Sequence, residues 1–563
     1  MPVESFFSDA SLAFITSPAA GKEGTAYSMK PTDGSGDATF TRGSNTTATR
    51  IGPDGLIEKG RENLLFHSND FNLTWSAGVS LTSGQLGYDG TNNAWLIEKT
   101  SAFQAVAQSK SASNILTFSI YAKAGDTTWI RLRTSNSETR YFQLTGAGAV
   151  GIYNPSNVIS SIQSVGNGWY RCSMTVINGL TDVKVYPAED DNVMGDTGSA
   201  YIQSAQLEVG TLMTDYIPTQ ATNGYAGIFQ NEPRYDYFNE LSVTNPLTEP
   251  YLLLEDGSTN IVRYSEYLKG LSPTTTIVTQ NTTETLSPDG TNNACKLETT
   301  ANAGRVSSTN HSFTEGEVIT VSCYVKNINV TQIRFYYFDI TNVFAADMGE
   351  FSDEMSNDEW RRVSRTFTIP FTTTNAQIQF CRITFSGQSM YAYGFQMEKQ
   401  SFASSYIPNH GLSAGAERLA EEAVLDIGYD KNNDFTFFLE LSTEYKRLGA
   451  SESKQYFNIG DGQQFMGRVS NYGVVEDNIR NWWRMYNVNR YLDSDSNSVA
   501  KWCFIKEGLN IKVYTQGVLQ HDITQELNEN QYLNLELLGG KYKKILVYNT
   551  PISEEDAISL TTI

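Results

Sequence analysis

The chain predicts an all-β protein built around a duplicated sandwich, and three observations carry that reading. A hexapeptide, Asp89-Gly90-Thr91-Asn92-Asn93-Ala94, recurs as Asp289-Gly290-Thr291-Asn292-Asn293-Ala294; an identical six-residue recurrence marks a module used twice. Short apolar runs of period two fill the chain, bounded by Gly, Asn, Asp and Ser, while no long stretch shows a 3.6-residue period. Charged residues make up only 18% of the sequence, leaving the Gly, Ser, Thr and Asn abundance of turn-rich β proteins.

The duplication extends on both sides of the hexapeptide. Upstream, Glu62-Asn63-Leu64-Leu65-Phe66-His67-Ser68 matches Thr259-Asn260-Ile261-Val262-Arg263-Tyr264-Ser265 in pattern. Downstream, Phe118-Ser119-Ile120-Tyr121-Ala122-Lys123 answers Val321-Ser322-Cys323-Tyr324-Val325-Lys326, and Trp169 answers Trp360. Gln206-Leu207-Glu208 with Tyr216-Ile217-Pro218 answers Gln396-Met397-Glu398 with Tyr406-Ile407-Pro408, at a Gln-to-Tyr spacing of ten residues in each copy. Landmark order is kept throughout, which places tandem modules at 61–222 and 258–411. Many short strands in each read as antiparallel sandwiches of jelly-roll type.

At 563 residues the chain has room for about three or four domains. A third one, 412–563, does not match the repeat. Its strand-like runs include Phe435-Thr436-Phe437-Phe438-Leu439-Glu440-Leu441 and Lys544-Ile545-Leu546-Val547-Tyr548, and Ser553 is placed to cap a short terminal helix. Residues 1–60 and the connector 223–257 are too short to fold alone. They hold apolar runs that need burial, so they are expected to pack onto a sandwich, with the C-terminal one a candidate.

Charge excludes one class of partner. With 41 basic and 62 acidic residues the net charge is −21, which repels the phosphates of nucleic acid, and no basic stripe offsets it, so no nucleic-acid partner is expected. The sequence shows no membrane-spanning run and no signal peptide, so synthesis in a cytoplasm without membrane insertion is expected. Cys172, Cys295 and Cys323 align with Val363, Trp95 and Ile120 of the other copy, which reads them as small buried apolar residues; with Cys381 and Cys503 they are too scattered for a disulfide or zinc framework.

Catalytic signals are weak. The four histidines, His67, His311, His410 and His521, stand in no nucleophile motif and are not duplicated. Gly146-Ala147-Gly148-Ala149-Val150-Gly151 fits a dinucleotide pattern, but no helix follows to hold a pyrophosphate, so it reads as a glycine turn. Glu208 and Glu398 sit at equivalent positions of separate modules and cannot form one acid pair. Two loops resemble calcium ligands in part, Asp430 with Asp434 and Asp493 with Asp495; the second lacks the Gly and Glu that a calcium loop needs, and a turn rich in Asp and Asn is favoured there. Sugar binding needs aromatic faces beside amides and carboxylates. Trp482, Trp483, Tyr486, Trp75 and Asn72 are the candidates, set against the ordinary use of Trp and Tyr in β cores. Trp482 and Trp483 are adjacent, so on a strand they face opposite sides.

Several segments then resemble a known family. Phe40-Thr41-Arg42-Gly43-Ser44, Ala48-Thr49-Arg50-Ile51, Asp54-Gly55-Leu56-Ile57-Glu58, Pro233-Arg234-Tyr235-Asp236-Tyr237 and Leu253-Leu254-Glu255 are similar to signatures of bacteriophage virion proteins. The resemblance implies jelly-roll modules like carbohydrate-binding modules and a C-terminal concanavalin A-like (laminin-G-like) sandwich. It implies a non-enzymatic head or tail fibre or decoration on the virion surface, made in the host cytoplasm, that binds host or environmental glycans. Other virion proteins and a symmetric homo-oligomer, dimer or trimer, are the implied partners, and the N-terminal segment is the expected anchor. A purely structural scaffold and a polysaccharide depolymerase are the rival readings. In modules of this kind an Asp in the last strand often binds structural calcium; here Gln206 and Gln396 stand there, which weighs against calcium in the repeats because an amide oxygen is the weaker ligand.

Overall fold

The computed structural model describes residues 3–562 apart from 18–20, 44–46, 136–137, 154–157, 239–245, 430–431, 443–452, 460–464, 472–478, 486–487, 493–498, 525–532 and 539. It is all-β, with two jelly rolls and a larger sandwich. Each landmark pair of the sequence repeat falls at the same place in the two jelly rolls. In the first, one sheet runs in the order Val158–Gly166, Trp169–Val176, Leu116–Ala124, Gly198–Val209, Ala94–Lys99, Ser80–Gln85. In the second, Arg361–Thr368, Val318–Asn327, Ser389–Glu398, Cys295–Thr299 and Thr276–Thr279 repeat the last five positions of that order. Even the register break recurs, between Ser119 and Tyr121 and between Ser322 and Tyr324. The extra residue on the facing strand is Ser204 in one copy and Gly394 in the other, both with positive φ (54° and 64°); a bulge of this kind bends the strand toward the sheet edge.

A second shared device is an asparagine. Asn63 Nδ2 donates to the carbonyls of Ala205 (3.1 Å) and Ile217 (2.8 Å), and its Oδ1 accepts from Leu65 N (3.2 Å) and Leu207 N (3.1 Å). Asn260 does the same with Phe395 (3.1 Å), Ile407 (2.8 Å), Val262 (3.0 Å) and Met397 (3.1 Å). A fully buried amide thus meets four backbone groups that would otherwise lie unpaired between the entering segment and the last strand.

The larger sandwich is discontinuous in sequence. Its eight-stranded sheet places Gly540–Tyr548 between Tyr251–Leu254 and Phe435–Ser442, with Leu12–Ile15 also paired to it. Its nine-stranded sheet pairs Ala38–Thr41 with Glu422–Tyr429. The N-terminal segment and the connector therefore do more than pack on the C-terminal region: they supply strands to both of its sheets. The first jelly roll is inserted between Ala38–Thr41 and Arg234–Asp236, and the second between Tyr251–Leu254 and Glu422–Tyr429. Phe14, Phe40, Leu254, Leu425, Phe437, Leu439, Trp502 and Ile545 share the core between the sheets. The other face of the eight-stranded sheet, through Phe438, Cys503, Leu546 and Tyr548, lies under Phe6 of the helix Val3–Asp9 and Ala557 of the helix Glu554–Thr561. Burial on both faces explains why Phe435–Ser442 reads as a nearly continuous apolar run. Ser553 caps the terminal helix, its hydroxyl accepting from Asp556 N (3.1 Å).

An ion network closes the place where the chain crosses between sandwich and jelly rolls. Arg42, Arg234 and Arg418 are fully buried there. Glu421 Oε1 accepts from Arg42 Nη1 (2.9 Å) and Arg234 Nε (2.7 Å), and Glu421 Oε2 pairs with Arg234 Nη2. Glu255 Oε2 meets Arg234 (2.8 Å) and Arg418 (3.1 Å). Arg42, Arg234 and Glu255 belong to the segments that carry the family resemblance, so those segments, distant in sequence, converge on one network. The five cysteines are free and buried. Gly146 and Gly148 take positive φ (63° and 78°) in a turn before the strand Ala149–Val150.

Candidate functional site

The outward face of the repeated sheet is where the two copies differ. Along Leu116–Ala124, Phe118, Ile120 and Ala122 enter the core, while Tyr121 turns to a separate cluster with Trp169, Ala94, Tyr88, Tyr201 and Tyr216. Tyr88, from the loop that leads into the hexapeptide, lies flat on Tyr121 with ring centroids 3.7 Å apart. Gln203 closes the neighbouring space: its Nε2 donates to Asp89 Oδ2 (3.1 Å) and Asn93 Oδ1 (2.5 Å). The first copy thus covers its own face.

In the second copy the corresponding face is covered by another part of the chain. The hairpin of Thr49–Ile51 and Ile57–Lys59 lies against it. Ile57 sits among Tyr324, Tyr393 and Tyr406, with Ile51 and Trp360 alongside, and its backbone N donates to Pro288 O (2.9 Å). Lys59 Nζ reaches Asp289 Oδ2 (2.6 Å), Glu266 Oε1 (3.0 Å) and Tyr393 Oη (2.9 Å). Tyr406 donates to Glu266 Oε1 (2.9 Å) and Asn293 Nδ2 to Glu266 Oε2 (2.5 Å). Burial alone would lower the Lys59 ammonium, but Asp289 and Glu266 outweigh it and hold the group above its ordinary value. Burial pushes the Glu266 carboxyl up and Lys59 pulls it down further, so it ends below the usual range; Asp289 behaves alike. His410, close to Glu266, is held below its ordinary value by burial.

Beside this hairpin, between the two jelly rolls, opens a cleft of about 660 Å³. Asn114, Gln163, Arg171 and Thr214 line it from the first jelly roll, Asn293 and His410 from the second, and Lys59 and Arg61 from the hairpin side. Leu212 and Met213 add apolar surface. The jelly rolls meet at its base, where Thr211 Oγ1 donates to Asn293 Oδ1 (2.6 Å) and Ile115 N to His410 O (2.6 Å). Its volume lies within the usual range of ligand sites.

Glu208, one of the carboxylates along the cleft, is committed to structure. Glu208 accepts from Gln206 Nε2 (2.8 Å), Thr214 N (2.8 Å) and Thr214 Oγ1 (2.5 Å), and burial holds its carboxyl above the ordinary value. Gln206 Oε1 accepts from Ile217 N (2.7 Å), and Gln396 repeats this with Ile407 N (2.7 Å) and Glu398 (2.7 Å). In both copies the amide ties the last strand to the Tyr-Ile-Pro segment and points an N–H donor toward the carboxylate.

The residues expected at a site are scattered. Trp75 is a correction: it is 5% exposed, packs on Phe71 at 5.0 Å and donates Nε1 to His67 O (3.1 Å), so it is core of the first jelly roll and no sugar platform. Asn72 is exposed on the loop beside it. Trp482 and Trp483 lie on the strand Ile479–Met485, opposite Tyr491 and Arg490 of Val488–Leu492; Tyr486 lies outside the described residues, as do Asp430, Asp493 and Asp495. Asp434 accepts from Gly508 N (2.7 Å), with Lys506 Nζ at 3.8 Å. Among the described residues no three of His, Cys, Asp and Glu gather as metal ligands. Lys59, Glu266, Asp289 and His410 were not singled out as site residues by the sequence. The signal that could have found them is the difference between copies, Glu266 where the first has Asn69 and Tyr393 where it has Gln203.

No family model and no curated protein matches the chain. Among solved structures it is similar to the CBM40 of the Ruminococcus gnavus IT-sialidase bound to alpha2,3 sialyllactose, at 16% identity over 23% of this chain and 83% of that one, with a TM-score of 0.18. It is also similar to the CBM22-1–CBM22-2 tandem of Paenibacillus barcinonensis Xyn10C (10% identity, 60% and 98% covered, TM-score 0.20) and to a CBM4 structure (14%, 22% and 86%, TM-score 0.17).

Proposed function

We propose that the chain is a non-catalytic bacteriophage virion protein, a fibre or decoration of head or tail, that binds a glycan in the cleft between its two jelly rolls. The observation that carries the binding reading is that cleft: it joins amides, a hydroxyl and guanidinium groups to a small apolar surface, the mixture that saccharide hydroxyls and C–H faces require. The virion reading rests on the resemblance of the segments that meet at the Arg42–Arg234–Glu255 network. A non-catalytic role fits Glu208, Glu266 and Asp289, which are each held by hydrogen bonds or by Lys59, so none of these three is free to serve in an acid pair across a scissile bond. Symmetric self-association, as a dimer or trimer, belongs to the same reading.

A glycan array tests it. The intact chain should bind, and the double variant N114A/Q163A should lose binding while keeping its unfolding midpoint. W482A and W483A in the same array separate the cleft from the strand Ile479–Met485. Silence of the folded protein across a broad array would sink the glycan reading and favour a scaffold; release of reducing ends from capsule would favour a depolymerase. Antibody labelling of particles places the chain on head or tail, and no labelling would remove the virion reading.

A further inference from the structure

The second jelly roll holds a ligand site that the chain fills from its own N-terminal hairpin. We infer that the outward face of this module is a receptor for a primary ammonium on an unbranched stem, presented on a β-strand beside an aliphatic side chain. Lys59 and Ile57 are its built-in ligand.

The cage itself is the first support. Three oxygens, Asp289 Oδ2, Glu266 Oε1 and Tyr393 Oη, surround Lys59 Nζ at 2.6, 3.0 and 2.9 Å, matching the three donors of an ammonium. The Tyr393 ring lies 5.5 Å from the same nitrogen, within cation–π reach. Both carboxylates are almost wholly withdrawn from solvent, at 1% and 4% side-chain exposure, where an unpaired charge is strongly disfavoured.

The first copy is an independent control. It keeps the Asp and Asn of the hexapeptide and the tyrosine at 121, but among the described residues no lysine pairs with Asp89. Asn69 replaces Glu266, so one acid is absent, and the amide of Gln203 bonds to Asp89 and Asn93. Tyr88 covers Tyr121 where the second copy has Pro288, whose carbonyl receives the hairpin. The glycine turn differs in the same sense: a Cβ on Gly290 would meet Leu56 of the hairpin at 2.7 Å, while one on Gly90 would meet nothing within 4 Å. Acid and tyrosine occur together where the lysine is bound and not in the other copy; Gly290 lies under Leu56 of the hairpin, while Gly90 faces open space.

Lys59 keeps 18% side-chain exposure and lines the cleft, so an exogenous amine has a route to the cage. The inference does not depend on what the cleft binds. The test uses the full chain. In K59A the unfolding midpoint should fall, and n-butylammonium should raise it saturably by about 2 °C or more, since a ligand that binds only the folded state stabilises by mass action. Tetramethylammonium at equal ionic strength should not do so, nor should n-butylammonium raise wild type or K59A/E266Q. Absence of a saturable rise in folded K59A, or an equal rise in K59A/E266Q, overturns the inference. Should K59A not fold, acetic anhydride labelling of the wild-type chain decides. Lys59 should react at least ten-fold more slowly than exposed Lys22, and E266Q should speed it; reaction of Lys59 as fast as Lys22 overturns the inference.

Discussion

Removing the Glu421 carboxylate should unfasten the discontinuous sandwich. Glu421 is 3% exposed and Arg42 and Arg234 are fully buried. It accepts from Arg42 at 2.9 Å, from Arg234 through two nitrogens and from Glu255 N at 3.1 Å. In E421A both guanidiniums lose their shared carboxylate; Arg234 keeps Glu255 (2.8 Å), and Arg42 keeps the carbonyls of Glu232 (2.9 Å) and Phe229 (2.7 Å). Breaking a buried pair from one side costs about 3–5 kcal/mol, because the remaining charge stays desolvated. For a unit of about 200 residues, at about 2–4 °C per kcal/mol, the midpoint should drop by about 6–20 °C. The assay is calorimetry of E421A against wild type, with R361A as control: Arg361 is 41% exposed and pairs with Glu359 at 2.9 Å, so its loss should cost under about 1 kcal/mol. A drop in E421A no larger than in R361A would refute the reasoning. So would a drop confined to a jelly-roll transition, since the network ties sandwich strands together.

Two more outcomes follow from the same contacts. Burial pushes the Glu255 carboxyl up, but Arg418 and Arg234 outweigh it and hold the group well below its ordinary value. A depressed folded value stabilises above the unfolded one, near 4.5, and the gain is lost as pH falls below it. Thermal unfolding from pH 7 to 3 should therefore show a falling midpoint below about pH 5, with a flatter slope in E255Q; parallel slopes would contradict this. N63A and N260A should each destabilise their own jelly roll by about 3 kcal/mol, from buried backbone groups left unpaired, and their effects should add in the double variant to within about 0.5 kcal/mol. Urea titration checks both points.

The jelly rolls were legible because duplication writes the same solution twice. Asn63 and Asn260, or Gln206 and Gln396, occupy one position because one set of backbone groups needs them. The partners of the flanking segments were not legible. Leu12–Ile15 pairs with Lys544–Val547, but nothing in its local pattern names that partner, and Ser11 bonds to Val547 O across 536 positions. The cage was hidden for a related reason. Lys59 and Glu266 are ordinary charges until folding brings them together over 207 positions. Trp75 misled because an aromatic beside an exposed Asn looks the same in sequence whether its ring faces water or Phe71.

Insertion of both jelly rolls into one sandwich sets an order of folding. Each jelly roll has all its strands once its own stretch has left the ribosome. The sandwich does not, because Gly540–Tyr548 is the strand that Leu12–Ile15, Tyr251–Leu254 and Phe435–Ser442 all require. At about 5–20 residues per second of synthesis, Leu12–Ile15 stays without its partner for roughly half a minute to two minutes. Its edge and its apolar side are open to wrong pairings during that interval. Gly540–Tyr548 completes the sandwich sheet, so a chain truncated shortly before residue 540 should carry two finished jelly rolls on an unfinished, aggregation-prone base.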